Sequence, residues 1–158
     1  MTEDETKVWD LIDKIDICMF VTKAATGSLR GRPMSSIGKR EEGIIYFLTH
    51  TSAGLKDEEL SNAPGVQMSY NNGRAYLSVS GTARLSHDKA LIERLWNPGA
   101  QAFWPDGPST PGVVAIVVAP GDAEYWDGPN AAVALFKFAK ALATGSTPDF
   151  GQNKKVAL

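Results

Sequence analysis

Cationic side chains and hydroxyls lie close together within residues 30–56, RGRPMSSIGKREEGIIYFLTHTSAGLK. After the apolar run at residues 44–48, the segment at residues 49–56 places hydroxyls, backbone N–H groups and the Lys56 ammonium near a predicted helix start. A helix N-terminus favours an anion, and Arg32 and Lys56 can each add charge-assisted hydrogen bonds worth roughly 1.5–3 kcal/mol. The stretch therefore fits a phosphate site, although an ordinary exposed loop explains the bare chemistry better because no strict phosphate motif is present.

Other reactive patterns fail on spacing. Ser80-Gly81 lacks the preceding glycine that a nucleophile elbow needs, and Arg40 stands where a P-loop needs Ser or Thr. His50 and His87 have no cysteine or paired carboxylate at ligand spacing, so no metal site is expected. No residue is an obvious general acid or base, and a plain loop histidine is the favoured interpretation of His50.

The composition fits one soluble domain. A chain of 158 residues suits a single core, and its net charge of −2 argues against a nucleic-acid-binding surface. The single cysteine, Cys18, cannot form an internal disulfide and lies in an apolar run typical of a buried strand. No apolar run reaches the ~20 residues that span a bilayer, and the acidic first residues do not resemble a secretory signal. We expect a cytoplasmic protein that does not bind membranes.

The hydrophobic pattern predicts a mainly β, α+β chain with antiparallel strands and short helices. Thr2 with Glu5 forms a capping box, Asp88 caps a second helix, and Asn72-Gly73 predicts a hairpin turn. Gly81 inside a strand indicates a bulge or a close backbone approach. The predicted strands are residues 17–23, 29–39, 44–49, 66–70, 75–85 and 113–119, the last extending through 126. The predicted helices are residues 2–14, 54–61, 88–96 and 131–143, and residues 97–112 are expected to be a loop. Residues 1–145 are expected to form the domain and residues 146–158 a flexible C-terminal tail.

Six segments together resemble one known family. They are RPMS at 32–35, FLT at 47–49, KDEEL at 56–60 followed by NAP, SVSGTA at 78–83, LWNP at 95–98 and EYWDG at 124–128. In this order and spacing the chain resembles, over residues 8–128, the FMN-binding split-barrel superfamily of pyridoxamine 5'-phosphate oxidase. It is closest to the branch of general stress proteins. The resemblance implies a six-stranded antiparallel split β-barrel of Greek-key type with flanking helices.

The resemblance also implies a set of FMN-binding residues. Arg32 and Lys56 match residues that reach the phosphate or ribityl chain, and Leu55 replaces the arginine that usually precedes the lysine. Met34 would line the isoalloxazine or belong to the core, and Ser78 faces the flavin in relatives or is simply solvent-exposed. The implied cofactor-binding residues are Arg32, Pro33, Met34, Ser35, Thr49, His50, Leu55, Lys56, Ser78 and Trp126, with Ser36, Ser80 and Trp104 as further candidates.

In the family, FMN lies at the interface of a homodimer, and the tryptophan that Trp126 matches reaches it from the partner subunit. True pyridoxamine-phosphate oxidases follow this tryptophan with an Arg-Leu-His-Asp-Arg segment, whereas residues 127–132 here are DGPNAA. We therefore expect an FMN-dependent oxidoreductase of unknown substrate in stress response, and not a true pyridoxamine 5'-phosphate oxidase. The alternatives are a non-catalytic flavin-binding stress protein, such as a carrier, buffer or sensor, or a relative that binds haem or deazaflavin F420. The sequence does not distinguish FMN from FAD.

Overall fold

The computed structural model describes residues 1–129, 131–149 and 151–158 and contains five α-helices and eight β-strands within them. The helices are α1 (Glu3–Ile15), α2 (Asp57–Asn62), α3 (Lys89–Leu95), α4 (Pro98–Phe103) and α5 (Ala131–Thr144), and a 3-10 turn spans Thr51–Ala53. The strands are β1 (Ile17–Lys23), β2 (Leu29–Ser35), β3 (Ile37–Lys39), β4 (Ile44–His50), β5 (Gly65–Asn71), β6 (Ala75–Ser86), β7 (Val113–Asp127) and β8 (Gln152–Ala157).

All strand pairs are antiparallel, in the order β2-β1-β5-β6-β7-β4-β3, with β8 added to β7. The two strands at the ends of this path, β2 and β3, are consecutive in the chain and are separated only by Ser36. The backbone N–H and the hydroxyl of Ser36 both donate to the Asp16 carbonyl oxygen, at 2.9 and 2.8 Å. The sheet therefore curves until its ends meet at this corner, which confirms the predicted mainly β, antiparallel barrel with flanking helices.

The described part of the chain contains eight strands instead of the expected six, for two local reasons. The segment expected as one strand over residues 29–39 changes partner at Ser36, because β2 pairs with β1 whereas β3 pairs with β4. Residues 152–157, expected to belong to a flexible tail, form β8 along β7 and bury Val156. The residues expected as a loop at 97–112 begin with α4, whose first turn is capped by the Asn97 side chain accepting from the Ala100 N–H.

The predicted local signals of helix α1 and of the β5–β6 hairpin are confirmed. The Thr2 hydroxyl accepts from the Glu5 N–H at 3.1 Å, and the Thr2 N–H donates to the Glu5 carboxylate at 2.6 Å. Gly73 adopts φ +82° in the hairpin turn. The register shifts between Ser80 and Gly81, where a Cβ on Gly81 would lie 2.4 Å from the Ala119 carbonyl oxygen.

The main core lies inside the barrel and is covered by α1. Phe20 and Phe47 pack with ring centroids 5.0 Å apart, and α1 buries four apolar side chains against it: Val8, Trp9, Leu11 and Ile12. A second cluster lies between α3 and the outer face of β4 and β7 and extends to Trp96 and Trp104. The two clusters pack against opposite faces of β4, and the second includes Trp96 and Trp104, which flank α4. None of the helices in the described part of the chain has the length and apolar character needed to cross a bilayer.

Candidate functional site

A cavity of about 470 Å³ lies between β2, the end of β4 and helix α4. Its volume falls within the roughly 300–1,000 Å³ range of small-molecule sites. It has one cationic wall, one wall of loop and strand-end residues and one aromatic wall. The lining residues are Arg30, Gly31, Arg32, Pro33, Met34, Ser35, Ile37, Leu48, Thr49, His50, Ala53, Asn97, Gly99, Ala100, Phe103 and Trp104.

Strand β2 supplies the cationic wall. The Arg32 guanidinium is half-buried, and its Nη2 donates to the Thr22 hydroxyl at 3.3 Å. Burial, followed by the charge of Arg30, lowers the pKa of Arg32, and the Glu59 carboxylate acts in the opposite direction. Arginine stays protonated in proteins despite such a shift, so Arg32 remains a cation.

A side-chain hydrogen bond joins the end of β2 to the residue that follows α1. The Ser35 hydroxyl donates to the Asp16 carboxylate at 2.6 Å, and Met34 packs partly against the core. Because the hydroxyl of Ser35 is already engaged, the groups that β2 offers here are its backbone and the remaining surface of Met34. Ser36, the further candidate, is buried and directs its hydroxyl at Asp16, and the cavity lining does not include it.

The end of β4 supplies the second wall, and its histidine is held by both ring nitrogens. His50 Nδ1 accepts from the Ser52 N–H at 3.1 Å and lies 2.8 Å from the Ser52 hydroxyl. With Nδ1 accepting, Nε2 carries the hydrogen of the neutral ring and donates to the Pro111 carbonyl oxygen at 2.9 Å. His50 therefore presents ring surface to the cavity and offers no free nitrogen for proton transfer in this arrangement.

Helix α4 supplies an aromatic wall that the sequence analysis missed except for Trp104. The Trp104 ring lies 6.1 Å from that of Trp96 and 6.0 Å from that of Phe103, measured between centroids. Phe103 is 81% exposed, an unusual position for a large apolar ring. The sequence signal for α4 is local, since Asn97-Pro98 combines a capping residue with proline at the first helical position.

The cavity brings together six of the ten sequence-predicted site residues: Arg32, Pro33, Met34, Ser35, Thr49 and His50. Leu55 is 3% exposed and packs in the main core, so its side chain is not available to a ligand. Lys56 is exposed at the start of α2, where it makes no side-chain capping bond. The Ser78 hydroxyl accepts from Gln67 on the neighbouring strand, at 2.8 Å. Trp126 lines a different depression with Tyr76.

Five lining residues besides those of α4 were also missed: Arg30, Gly31, Ile37, Leu48 and Ala53. Arg30 was detectable, because residues two apart on a strand lie on the same face and Arg30 therefore accompanies Arg32 and Met34. Among the described residues that line the cavity, two carry guanidinium groups and none carries a carboxylate. An anion on a planar, partly apolar ring system is the chemistry that this donor set fits.

Comparisons with known proteins address the family and the fold of the chain. The family model for pyridoxamine 5'-phosphate oxidase-like proteins matches residues 3–149. Protein bli-3 of Neurospora crassa is 30% identical over 118 residues, which make up 68% of this chain but only 56% of that protein. The chain thus spans little more than half the length of this curated relative.

Solved structures with the same fold include several general stress proteins. A candidate general stress protein 26 from Jannaschia sp. CCS1 superposes with a TM-score of 0.76 and 24% identity over 100% of both chains. The general stress FMN/FAD binding protein of Xanthomonas citri gives 0.70 and 24%, with 82% of this chain and 93% of that chain covered. A general stress protein 26-related protein of Clostridium acetobutylicum gives 0.70 and 22%, covering 80% and 91%. These structures support the fold, and the family model covers nearly the whole chain: the protein belongs to the pyridoxamine 5'-phosphate oxidase-like family.

Proposed function

We propose that this protein binds FMN in the cavity between β2, β4 and α4 and acts as a flavin-dependent oxidoreductase in stress response. One observation carries the proposal. The Arg32 cation, the end of β4 at Thr49 and His50, and an aromatic wall all line the same cavity. The neighbour from Xanthomonas citri is an FMN/FAD binding protein, which adds support for a flavin. FMN provides the hydride or electron transfer when it is bound, while the protein determines its position and environment.

The residues of the chain have distinct roles in this proposal. The Arg32 guanidinium binds the anionic end of the cofactor with its planar fork. The backbone at Pro33, Met34 and Ser35 follows the ring system, and Thr49 and His50 close its side. Trp104 shields the ring from water on the α4 side, which strengthens the electrostatic interactions inside the cavity.

We further propose a homodimer in which the partner subunit's Trp126 reaches the flavin. Trp126 is 39% exposed on its own chain, as expected for a side chain that another subunit covers. The same region carries α5, whose apolar residues Leu135, Phe136 and Leu142 are about 70% exposed. A helix that is apolar on most sides is normally buried. A second copy that covers α5 would therefore explain why these apolar side chains are exposed on the single chain.

Sedimentation equilibrium of the flavin-loaded chain tests the dimer. Phe136→Glu is expected to shift the mass towards the monomer and to weaken flavin binding, because a charge would enter the apolar contact. Lys140→Ala, on the same helix, is the matched control and is expected to leave the mass unchanged. A wild-type monomer that still binds flavin would contradict the shared site.

The substrate is not expected to be pyridoxamine phosphate, because the residues after Trp126 contain neither arginine nor histidine up to residue 132. A non-catalytic flavin carrier, buffer or sensor is the second candidate, and the engagement of both His50 nitrogens favours it. Steady-state assays with a nicotinamide donor separate the two: cofactor reduction and reoxidation faster than with free FMN indicate an enzyme. Production of pyridoxal phosphate at an enzyme-like rate would contradict the expectation that pyridoxamine phosphate is not the substrate. The visible spectrum of the purified protein distinguishes bound FMN from haem or F420.

A further inference from the structure

Asp16 combines a strained backbone with a contact to the cavity wall. Among the residues that the structure describes, it is the single non-glycine residue with a positive φ, at φ 64° and ψ −61°. These angles are those of a γ-turn with positive φ, a conformation that is rare and strained for a residue with a Cβ. Such strain persists only where the surrounding structure holds the residue in place, and it is concentrated at functional sites.

The backbone of Asp16 joins three elements at the corner of the barrel. Its N–H donates to the Ile12 carbonyl oxygen at 3.0 Å and ends α1. Its carbonyl oxygen accepts from both the N–H and the hydroxyl of Ser36, at 2.9 and 2.8 Å, between the end of β2 and the start of β3. These bonds explain the conformation but not the choice of aspartate, because glycine would make the same backbone bonds without strain.

The Asp16 side chain makes its contact with the cavity wall. The carboxylate accepts from the Ser35 hydroxyl at 2.6 Å, a charge-assisted hydrogen bond. Within residues 1–129, 131–149 and 151–158, this carboxylate forms no ion pair and no second side-chain hydrogen bond. Ser35 lines the cavity together with Pro33 and Met34. The strained aspartate therefore connects the end of α1 to the β2 wall.

Strand β2 needs such a connection because of its place in the sheet. It is the last strand of the path and pairs with β1 alone, whereas a central strand is held on both sides. The bonds at its end therefore contribute more to its position than they would for a central strand. Asp16 supplies a charge-assisted bond at Ser35 and two backbone bonds at Ser36.

We propose that Asp16 is a positioning residue of the flavin site, which acts through Ser35 to hold the β2 wall against the ring system. The inference rests on the proposed function, because it concerns the wall of the same cavity. The carboxylate keeps the Ser35 hydroxyl turned away from the ligand and fixes the backbone of Met34 and Ser35. The strain at Asp16 is retained because only a side chain with an acceptor oxygen makes this bond.

Three single substitutions test the proposal in the full chain, freed of any bound flavin and titrated with FMN. Asp16→Gly keeps the backbone bonds and removes the carboxylate. It is expected to weaken FMN binding by roughly 10-fold and to shift the visible bands of the bound flavin. Ser35→Ala removes the same hydrogen bond from the other side and is expected to reproduce both changes. Asp16→Asn keeps an oxygen acceptor without the charge and is expected to fall between wild type and Asp16→Gly.

Urea unfolding separates positioning from a purely structural role. Glu41→Gly, in the turn between β3 and β4, is the matched control, because Glu41 is exposed and makes no side-chain hydrogen bond or ion pair within the described residues. Asp16→Gly is expected to unfold at a urea concentration no lower than Glu41→Gly, since release of the backbone strain offsets the lost hydrogen bond. Glu41→Gly is expected to keep the FMN affinity and the flavin spectrum of wild type.

The double variant Asp16→Gly/Ser35→Ala is expected to lose no more FMN affinity than either single variant, because both remove one shared bond. Additive losses would overturn the inference, and so would single variants with the affinity and spectrum of the control; either result leaves the proposed function standing. If Asp16→Gly does not fold, Ser35→Ala and Asp16→Asn decide the same question. Failure of wild type to bind FMN would overturn both proposals.

Discussion

At the scale of single residues, His50 and Gly112 determine the shape of the cavity where β4 ends. Gly112 adopts φ +88°, and a Cβ there would lie 2.5 Å from His50 Nε2. The neighbouring Pro111 carbonyl accepts from the same nitrogen. The histidine is therefore held in place by a glycine that no larger residue can replace without moving the ring.

We expect Gly112→Ala to destabilise the protein by roughly 1–3 kcal/mol and to weaken FMN binding, since it combines backbone strain with displacement of His50. Gly43→Ala is the matched control: Gly43 has φ +65° in open space, so it carries the strain without the contact. Denaturant unfolding and flavin titration measure the two effects. FMN affinity equal in both variants would show that His50 does not shape the site.

Glu42 provides a residue-scale prediction about pH. The Arg94 guanidinium and then the Tyr46 hydroxyl, which donates to Glu42 at 2.5 Å, lower the pKa of the Glu42 carboxyl. A carboxyl whose pKa is lower in the folded state stabilises the fold above its unfolded pKa and loses this contribution as pH falls through the folded value. Wild type is therefore expected to be more stable than Glu42→Gln at neutral pH, with the difference shrinking below pH 4.5, the ordinary value.

Urea unfolding of both proteins between neutral and acidic pH checks this. Glu41→Gln is the control, because Glu41 makes no ion pair or hydrogen bond within the described residues, and it is expected to match wild type at neutral pH. A stability difference for Glu42→Gln that stays constant down to acidic pH would refute the carboxylate's role.

At the scale of elements, the features that depend on neighbouring residues could be predicted and those that depend on distant partners could not. The capping box of Thr2 and Glu5 and the Asn72-Gly73 turn follow from local hydrogen bonds and backbone conformation. The break at Ser36 depends on a change of pairing partner from β1 to β4. Strand β8 is a polar segment with one buried residue, Val156, and exists because β7 offers an open edge.

The bulge in β6 gives the prediction at this scale. Gly81→Ala is expected to destabilise the fold by roughly 1–3 kcal/mol, because its Cβ would meet the Ala119 carbonyl oxygen at 2.4 Å and the backbone at Pro120 at 3.0 Å. Gly65→Ala on β5 is the matched control, since its added Cβ meets nothing within 4 Å. Chemical denaturation compares the two. A Gly81→Ala variant as stable as Gly65→Ala would mean that the β6–β7 bulge relaxes without cost.

At the scale of the whole molecule, the cavity exists because three separated segments meet. The family-like motifs on β2 and at the end of β4 could be located from the sequence, and the structure brings them together. Phe103 could not be assigned to the site, because no motif includes it and only the packing of α4 places it there, whereas the two-residue period of β2 could have placed Arg30 beside Arg32. Lys56 shows the converse, since a residue within a matching motif lies outside the cavity.

The most direct test of the flavin assignment is the visible spectrum of the purified full chain, followed by titration with FMN of wild type and of Arg32→Gln. We expect an oxidised flavin spectrum, saturable binding of FMN by wild type, and a loss of affinity of about 10-fold or more in the variant. The absence of any flavin in the purified protein, together with no binding of added FMN by wild type, would contradict the proposed function.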